Sequence, residues 1–298
     1  MFYHDGKLQY PVEVEKPNAL YAKMLQQAIG GIEGEMRVAL QYLFQAWNSR
    51  GPKRYREMLL ETGTEELAHI EILVTAVAKN LEGADAAIKV EVARDNPAVA
   101  AMLGGMEPRH FLSSGLGGMP TNADGVPFTA AYVVATGNLA ADMYANLEAE
   151  TAGRLLATRL YEMTDDPGMK DMWSFLIARD TMHQNQWLAV LEELGFPQLH
   201  PIPNSFPQAQ ENQEFNYVFL STHKDGPPHP EGRWSTGRSI DTKGTFSIRK
   251  AEPRGPEPQL APPVAPAHAQ NEQNPVLPSQ SGNDEGIVDK LRDTLTGS

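Results

Sequence analysis

Glu66 and His69 stand three positions apart in the run Thr62-Gly63-Thr64-Glu65-Glu66-Leu67-Ala68-His69. On an α-helix that spacing puts a carboxylate and an imidazole on one face, where together they can grip one metal ion. A second acid-x-x-His run, Asp180-Thr181-Met182-His183, offers a similar pair. Two further carboxylates precede these pairs at matching distances: Glu35 by 66 − 35 = 31 residues and Glu150 by 180 − 150 = 30. Such separations suit facing antiparallel helices of about seven turns. A Glu and a His at this spacing also occur on solvated faces, and Glu35 at a boundary would simply reach water. Yet Glu35 shares a helical face with Ile32, Ala39 and Tyr42, and an unpaired carboxylate is costly to bury there. The chain contains no Cys, so a metal site must be built from His, Asp, Glu or backbone oxygen.

Apolar periodicity supplies the elements that position these groups. Leu20, Met24, Ala28, Ile32, Ala39, Leu43 and Ala46 recur near helical spacing between Asn18, a suitable N-cap, and Asn48, after which Gly51-Pro52 end the helix. A second helix is predicted over about 53–81, carrying Met58, Leu59, Leu67, Ile70, Leu73, Val74 and Val77. Residues 84–127 hold one modest helix candidate at Asn96-Pro97 and a glycine-rich run at 113–118, which reads as a long crossover. A third helix is expected over about 128–163. The turn Asp165-Asp166-Pro167-Gly168 then leads to a fourth, ending near Gly195. Two helical hairpins joined by a long crossover predict an all-α, ferritin-like four-helix bundle over residues 1–200.

Dimetal bundles of this type take one carboxylate from each of two helices and a Glu-x-x-His pair from each of the others. The expected ligands are therefore Glu35, Glu66, His69, Glu150 and His183, with Glu66 bridging two ions. Asp180 is one methylene shorter than Glu, about 1.5 Å, and is expected to act from outside the metal shell as a proton carrier.

Beyond Phe196, Phe206, Phe215, Tyr217, Phe219 and Trp234 suggest an extended arm over 201–251 that packs onto the bundle. Residues 252–298 are rich in Pro, Ala, Gln, Asn and Ser and are expected to be a disordered tail. Within the tail, Ile287–Leu295 is too short to be a stable helix alone. A net charge of −13 argues against a nucleic-acid partner. No run of about 18 apolar residues suggests a membrane span, and no leader is recognisable at the amino end, so a cytoplasmic location is expected.

The Thr62–His69 run, Gly137-Asn138-Leu139 and Ala178-Arg179-Asp180-Thr181-Met182-His183-Gln184 together resemble manganese catalase, across roughly residues 1–240. The resemblance implies hydrogen peroxide as substrate and two manganese ions held as a bridged pair by the same five ligands. It also implies a homohexamer and outer-sphere roles for Tyr42 and Asp180. In some relatives calcium is bound where Glu57, Glu61 and Ser221 stand here, although Glu57 and Glu61 also suit a solvated acidic face. The chain departs from some members at Ala149, where they place a basic residue beside the ligand; Arg154, one turn after Glu150, either compensates or forms an ordinary helix ion pair. Two other functions compete on the same fold: a di-iron ferroxidase or iron-storage bundle, and a structural coat-type protein with a vestigial metal site.

The tail's composition generates a direct expectation. Deleting residues from Glu252 onward should leave bound metal per chain and melting temperature unchanged, and a drop in either would show that the tail belongs to the fold.

Overall fold

The computed structural model describes residues 6–82, 108–223 and 232–259. Six α-helices are described: α1 Ala19–Gly30, α2 Glu35–Asn48, α3 Lys53–Leu81, α4 Pro108–Leu112, α5 Leu139–Glu162 and α6 Pro167–Glu193. The chain divides into two compact units, one of 1–219 with 230–248 and the other of Leu220–His229 with Arg249–Ser298. All six helices belong to the first unit. There α2 packs along α3, and α5 along α6, as two hairpins.

Local chemistry explains the helix starts. Asn18 accepts a hydrogen bond from Tyr21 N at 3.0 Å, and Asp166 accepts one from Met169 N at 3.0 Å while Pro167 occupies the first helical position. Past the end of α6, Gly195 adopts φ +97°, a conformation that terminates helices.

Two expected helices differ. The predicted first helix is two, interrupted at residues 31–34, so Ile32 leaves the apolar stripe and is 46% exposed; Leu20 and Leu67 are also exposed rather than core residues. The cause is close backbone packing. A Cβ on Gly30 would lie 2.7 Å from the Thr121 backbone, and one on Gly34 would lie 2.8 Å from Ala28 O. The third helix begins at Leu139 instead of near 128, because Asn138 caps it by accepting from Ala141 N at 3.1 Å. The residues before it form a short 3-10 turn, Ala130–Tyr132, and extended chain. The candidate at Asn96-Pro97 and the segment Ile287–Leu295 lie outside the described residues.

Two apolar clusters fill the bundle. One gathers Tyr21, Leu25, Ile72, Leu73, Met172, Trp173 and Leu176; the other gathers Val38, Tyr42, Leu59, Met143, Trp187 and Leu191. Tyr21 donates to Leu160 O and accepts from Trp173 Nε1, both at 2.8 Å, which ties α1 to α5 and α6. At the other end Gln45 and Gln41 each donate to Asn146 Oδ1 at 2.8 Å, joining α2 to α5. Gln26 Nε2 donates to Met119 O at 2.6 Å and Thr121 O at 2.9 Å, holding the crossover against α1.

The arm is not purely irregular. It contains short strands β1 Val218–Ser221, β2 Gly237–Arg238 and β3 Thr245–Lys250. Strands β2 and β3 pair antiparallel with Gly237 opposite Phe246, and Ser247 N donates to Tyr217 O at 3.0 Å. Phe206 and Trp234, expected as anchors, are more than half exposed, whereas Tyr217 packs against Phe246 at 6.3 Å between ring centroids. In the second unit Ala251 N donates to Ser221 O at 2.7 Å, and residues 252–259 are exposed and without regular structure.

Gly30→Ala should therefore destabilise the protein by about 1–3 kcal/mol, as overpacking does, and lower the melting temperature by about 2–4 °C per kcal/mol. An unchanged thermal melt would mean that the crossover yields to the added methyl at no cost.

Candidate metal centre

Each hairpin carries its ionisable groups at the level where the two apolar clusters meet. On α3, Glu66 and His69 lie between Leu59 of one cluster and Ile72 of the other; on α6, Asp180 and His183 lie between Leu176 and Trp187. The break before α2 puts Glu35 in the first turn of that helix, and Glu150 lies midway along α5. The exposure of Ile32 removes one support for an inward-facing Glu35, but Ala39 and Tyr42 on the same helix are fully buried. Glu35 remains the most accessible of the five expected ligands, its side chain 15% exposed, whereas Glu66, His69, Glu150 and His183 are buried.

The five residues converge. Two trios, Glu35, Glu66, His69 and Glu66, Glu150, His183, each bring one candidate ligand atom per residue within 4.8 Å of the others. Glu66 is common to both: its Oε2 lies 2.7 Å from His69 Nδ1 and its Oε1 2.9 Å from His183 Nδ1. His69 Nδ1 is also 3.8 Å from Glu35, and His183 Nδ1 3.3 Å from Glu150. Tyr42 donates its hydroxyl to Glu150 Oε1 and packs its ring against Trp187 at 4.9 Å. Asp180 is buried close enough to Glu35, Glu150 and Glu66 for their charges to act on it.

The donor set fits divalent cations. Glu66 Oε1, His69 Nδ1 and His183 Nδ1 are buried and have no hydrogen-bond partner. Nitrogen and oxygen atoms brought this close face each other lone pair to lone pair unless a proton or a metal ion lies between them. Proton affinities carry the same message. Burial and the neighbouring Glu66 push Glu35 up to about 8, and burial followed by Glu66 also raises Glu150. Burial, then Glu35 and Glu150, raise Asp180 well above the usual carboxylate range. Burial would raise Glu66 too, but the imidazoles of His69 and His183 outweigh it and hold Glu66 at about 2. For His183, burial opposes the charged form, yet Glu66, Glu150 and Glu65 overcome it and push the imidazole up to about 12. The cluster thus requires positive charge at its centre. Glu35, Glu66 and Glu150, the carboxylates of the two trios, carry three negative charges when ionised, which bound cations would offset.

Sequence reasoning missed Glu65. It accepts from Arg179 Nε at 2.6 Å and Nη2 at 3.2 Å and from Gln9 Nε2 at 3.1 Å, and it meets His183 Nε2 at 3.2 Å. Burial would raise its pKa, but His183, His69 and Arg179 together hold it far below the usual carboxylate range. Arg154, one turn after Glu150, donates to Thr181 Oγ1 at 3.2 Å. Glu57 is paired with Lys53 at 2.8 Å on the exposed face of α3.

Known proteins resemble this chain across most of its length. The profile of the family described as manganese containing catalase matches residues 1–282. A manganese catalase of Bacillus subtilis is 45% identical over 262 residues, covering 88% of this chain and 95% of the relative. A manganese catalase of Lactiplantibacillus plantarum is 38% identical over 234 residues, covering 78% and 87%. The crystal structure of KatB, a manganese catalase from Anabaena, superposes with a TM-score of 0.64 over 84% of this chain and 99% of that one; at 21% identity it speaks to the fold.

Glu66→Ala removes the carboxylate common to both trios, and His69→Ala removes one imidazole. Both variants should lose bound metal, since each deletes a donor that no neighbour replaces. Elemental analysis after gel filtration checks this, and full metal content in either variant would remove that residue from the ligand set.

Proposed function

The chain belongs to the manganese-containing catalase family, and from that premise we propose that it disproportionates hydrogen peroxide to water and dioxygen at a pair of manganese ions. The observation that carries the reading is the shared Glu66, whose two oxygens face two different imidazoles inside a buried, four-helix layer. In this proposal Glu35, Glu66, His69, Glu150 and His183 are the ligands and Glu66 is the bridge between the ions. Oxygen donors with two imidazoles suit manganese, and a bound pair supplies a reservoir for the two electrons that pass from one peroxide to another.

The chain's own residues have two further tasks. Oxidising one peroxide to dioxygen releases two protons, and reducing another to two waters consumes two. Asp180 is assigned to hold a proton between these half-reactions: burial and its carboxylate neighbours raise its proton affinity, and it lies beside the ligand cluster. Tyr42 is assigned to orient Glu150, whose Oε1 accepts its hydroxyl proton, so that the carboxylate's remaining lone pairs face the pair.

The proposal extends to a homohexamer and to a cytoplasmic enzyme built as a bundle over 1–200, an arm over 201–251 and a tail over 252–298. Among the described residues no helix is long and apolar enough to cross a membrane. Calcium at Glu57 and Glu61 would have to displace Lys53 from Glu57.

Metal analysis combined with an oxygen-evolution assay tests the function. Two manganese ions per chain and rapid dioxygen release from peroxide are expected. Iron with ferrous oxidation but no dioxygen would mean a ferroxidase, and neither metal nor activity would mean a coat-type protein. Within the site, Asp180→Asn should keep both ions and slow oxygen evolution by about 10²–10⁴-fold, the usual worth of a positioned proton acceptor. Glu150→Gln should instead release metal. Equal metal loss in the two variants would make Asp180 a sixth ligand.

A further inference from the structure

We propose that Glu65 is a positioning residue shared by both metal-binding histidines, so that one carboxylate behind the site sets the donor atoms of both halves. The inference rests on the dimanganese reading above. Residues 65 and 66 are adjacent on α3, about 100° apart around the helix. Glu66 therefore faces one edge of each imidazole ring, while Glu65 faces the opposite edge. Glu65 Oε2 lies 3.2 Å from His183 Nε2, within hydrogen-bond range, and its Oε1 lies 3.6 Å from His69 Nε2, a looser electrostatic contact. The two rings are nearly parallel, with centroids 6.0 Å apart and 26° between planes, as two groups facing a common acceptor would be.

A carboxylate behind a ring favours the proton on Nε2 and so frees the Nδ1 lone pair for the metal. Glu65 meets His183 in this way and is the carboxylate 3.6 Å from His69 Nε2, a buried nitrogen with no hydrogen-bond partner, while each ring turns Nδ1 toward Glu66 at 2.7 Å and 2.9 Å. The charge on Glu65 has its own counterion. Arg179 spans both of its oxygens, so Glu65 adds no net charge to the layer that the manganese pair must balance. The N-terminal segment completes the support. Gln9 donates to Glu65, and Tyr10 stacks on Phe175 at 4.3 Å, whose ring edge meets His69 at 6.2 Å between centroids.

Glu65→Gln keeps the shape and removes the charge. Purified holoprotein would be challenged with graded chelator, and manganese retained per chain measured by elemental analysis. The wild type should hold two ions; in Glu65→Gln both should be released at about 10–100-fold lower chelator, the usual effect of removing such a partner. Helicity of the manganese-loaded variant should match the wild type, which separates a positioning role from a merely structural one. Release of both ions at the wild-type concentration, or loosening of only one, would overturn the shared role. If Glu65→Gln does not fold, Arg179→Gln decides, since it leaves the carboxylate in place but unanchored: release should shift the same way by a smaller factor, and no shift would overturn the proposal. A wild type that holds no manganese pair would instead refute the functional reading on which the inference stands.

Discussion

Everything in this bundle is arranged around one layer of ionisable side chains placed where a four-helix protein would otherwise keep its core. Glu66, His69, Glu150, Asp180 and His183 are all buried, and Glu35 is nearly so. Apolar side chains in their place would be cheaper, because taking several carboxylates and imidazoles out of water costs more than their mutual contacts return. Only positive charge in the middle of the layer makes the arrangement tolerable. That requirement explains why the helices bring opposite edges of Glu66 against two imidazoles, and why every buried carboxylate in the layer except Glu66 is driven toward its protonated form.

Much of this was legible in the residues. Asn18 and Asp166 announce helix starts because capping is a local transaction between a side chain and a backbone N–H three residues on. The acid-x-x-His pairs announce themselves because three residues is nearly one helical turn, and the matching intervals from Glu35 and Glu150 follow from hairpin geometry. The break between α1 and α2 was harder to see. The apolar residues from Leu20 to Ala46 keep their period straight through it, and what Gly30 makes room for is the backbone of Thr121, distant in sequence. The late start of α5 likewise depends on Asn138 acting as its cap after residues of largely apolar character.

Glu65 was hidden for a different reason. It sits beside a ligand in the sequence, but adjacency on a helix means a different direction, and nothing local says what lies there. Its partners come from Arg179 on α6 and Gln9 in the N-terminal segment, so its role exists only after the hairpins have docked. The basic residues follow the same logic. Arg179 neutralises Glu65, while Arg37 reaches Glu148 at 2.7 Å, these last two each two positions from an expected ligand on its own helix. Neither guanidinium is paired with a carboxylate of the inner layer. With Ala149 beside Glu150, the inner layer is left to be balanced by metal rather than by arginine.

That division of charge sets how stability and metal content are linked. The apolar clusters above and below the layer, anchored by Trp187 and Trp173, hold the helices together whatever occupies the centre. Bound cations then add to stability through their preference for the folded arrangement, since no unfolded chain presents five donors at these distances. Each ion held at a hundredfold excess over its dissociation constant contributes about 2.7 kcal/mol, a large share of the net stability of an ordinary domain. A site built this way would hold its metals among buried side chains whose positions the packed helices fix. In the proposed dimanganese reading, the same burial that makes these charges expensive would keep the pair rigid enough for electrons to pass from one peroxide to the next while protons wait on Asp180.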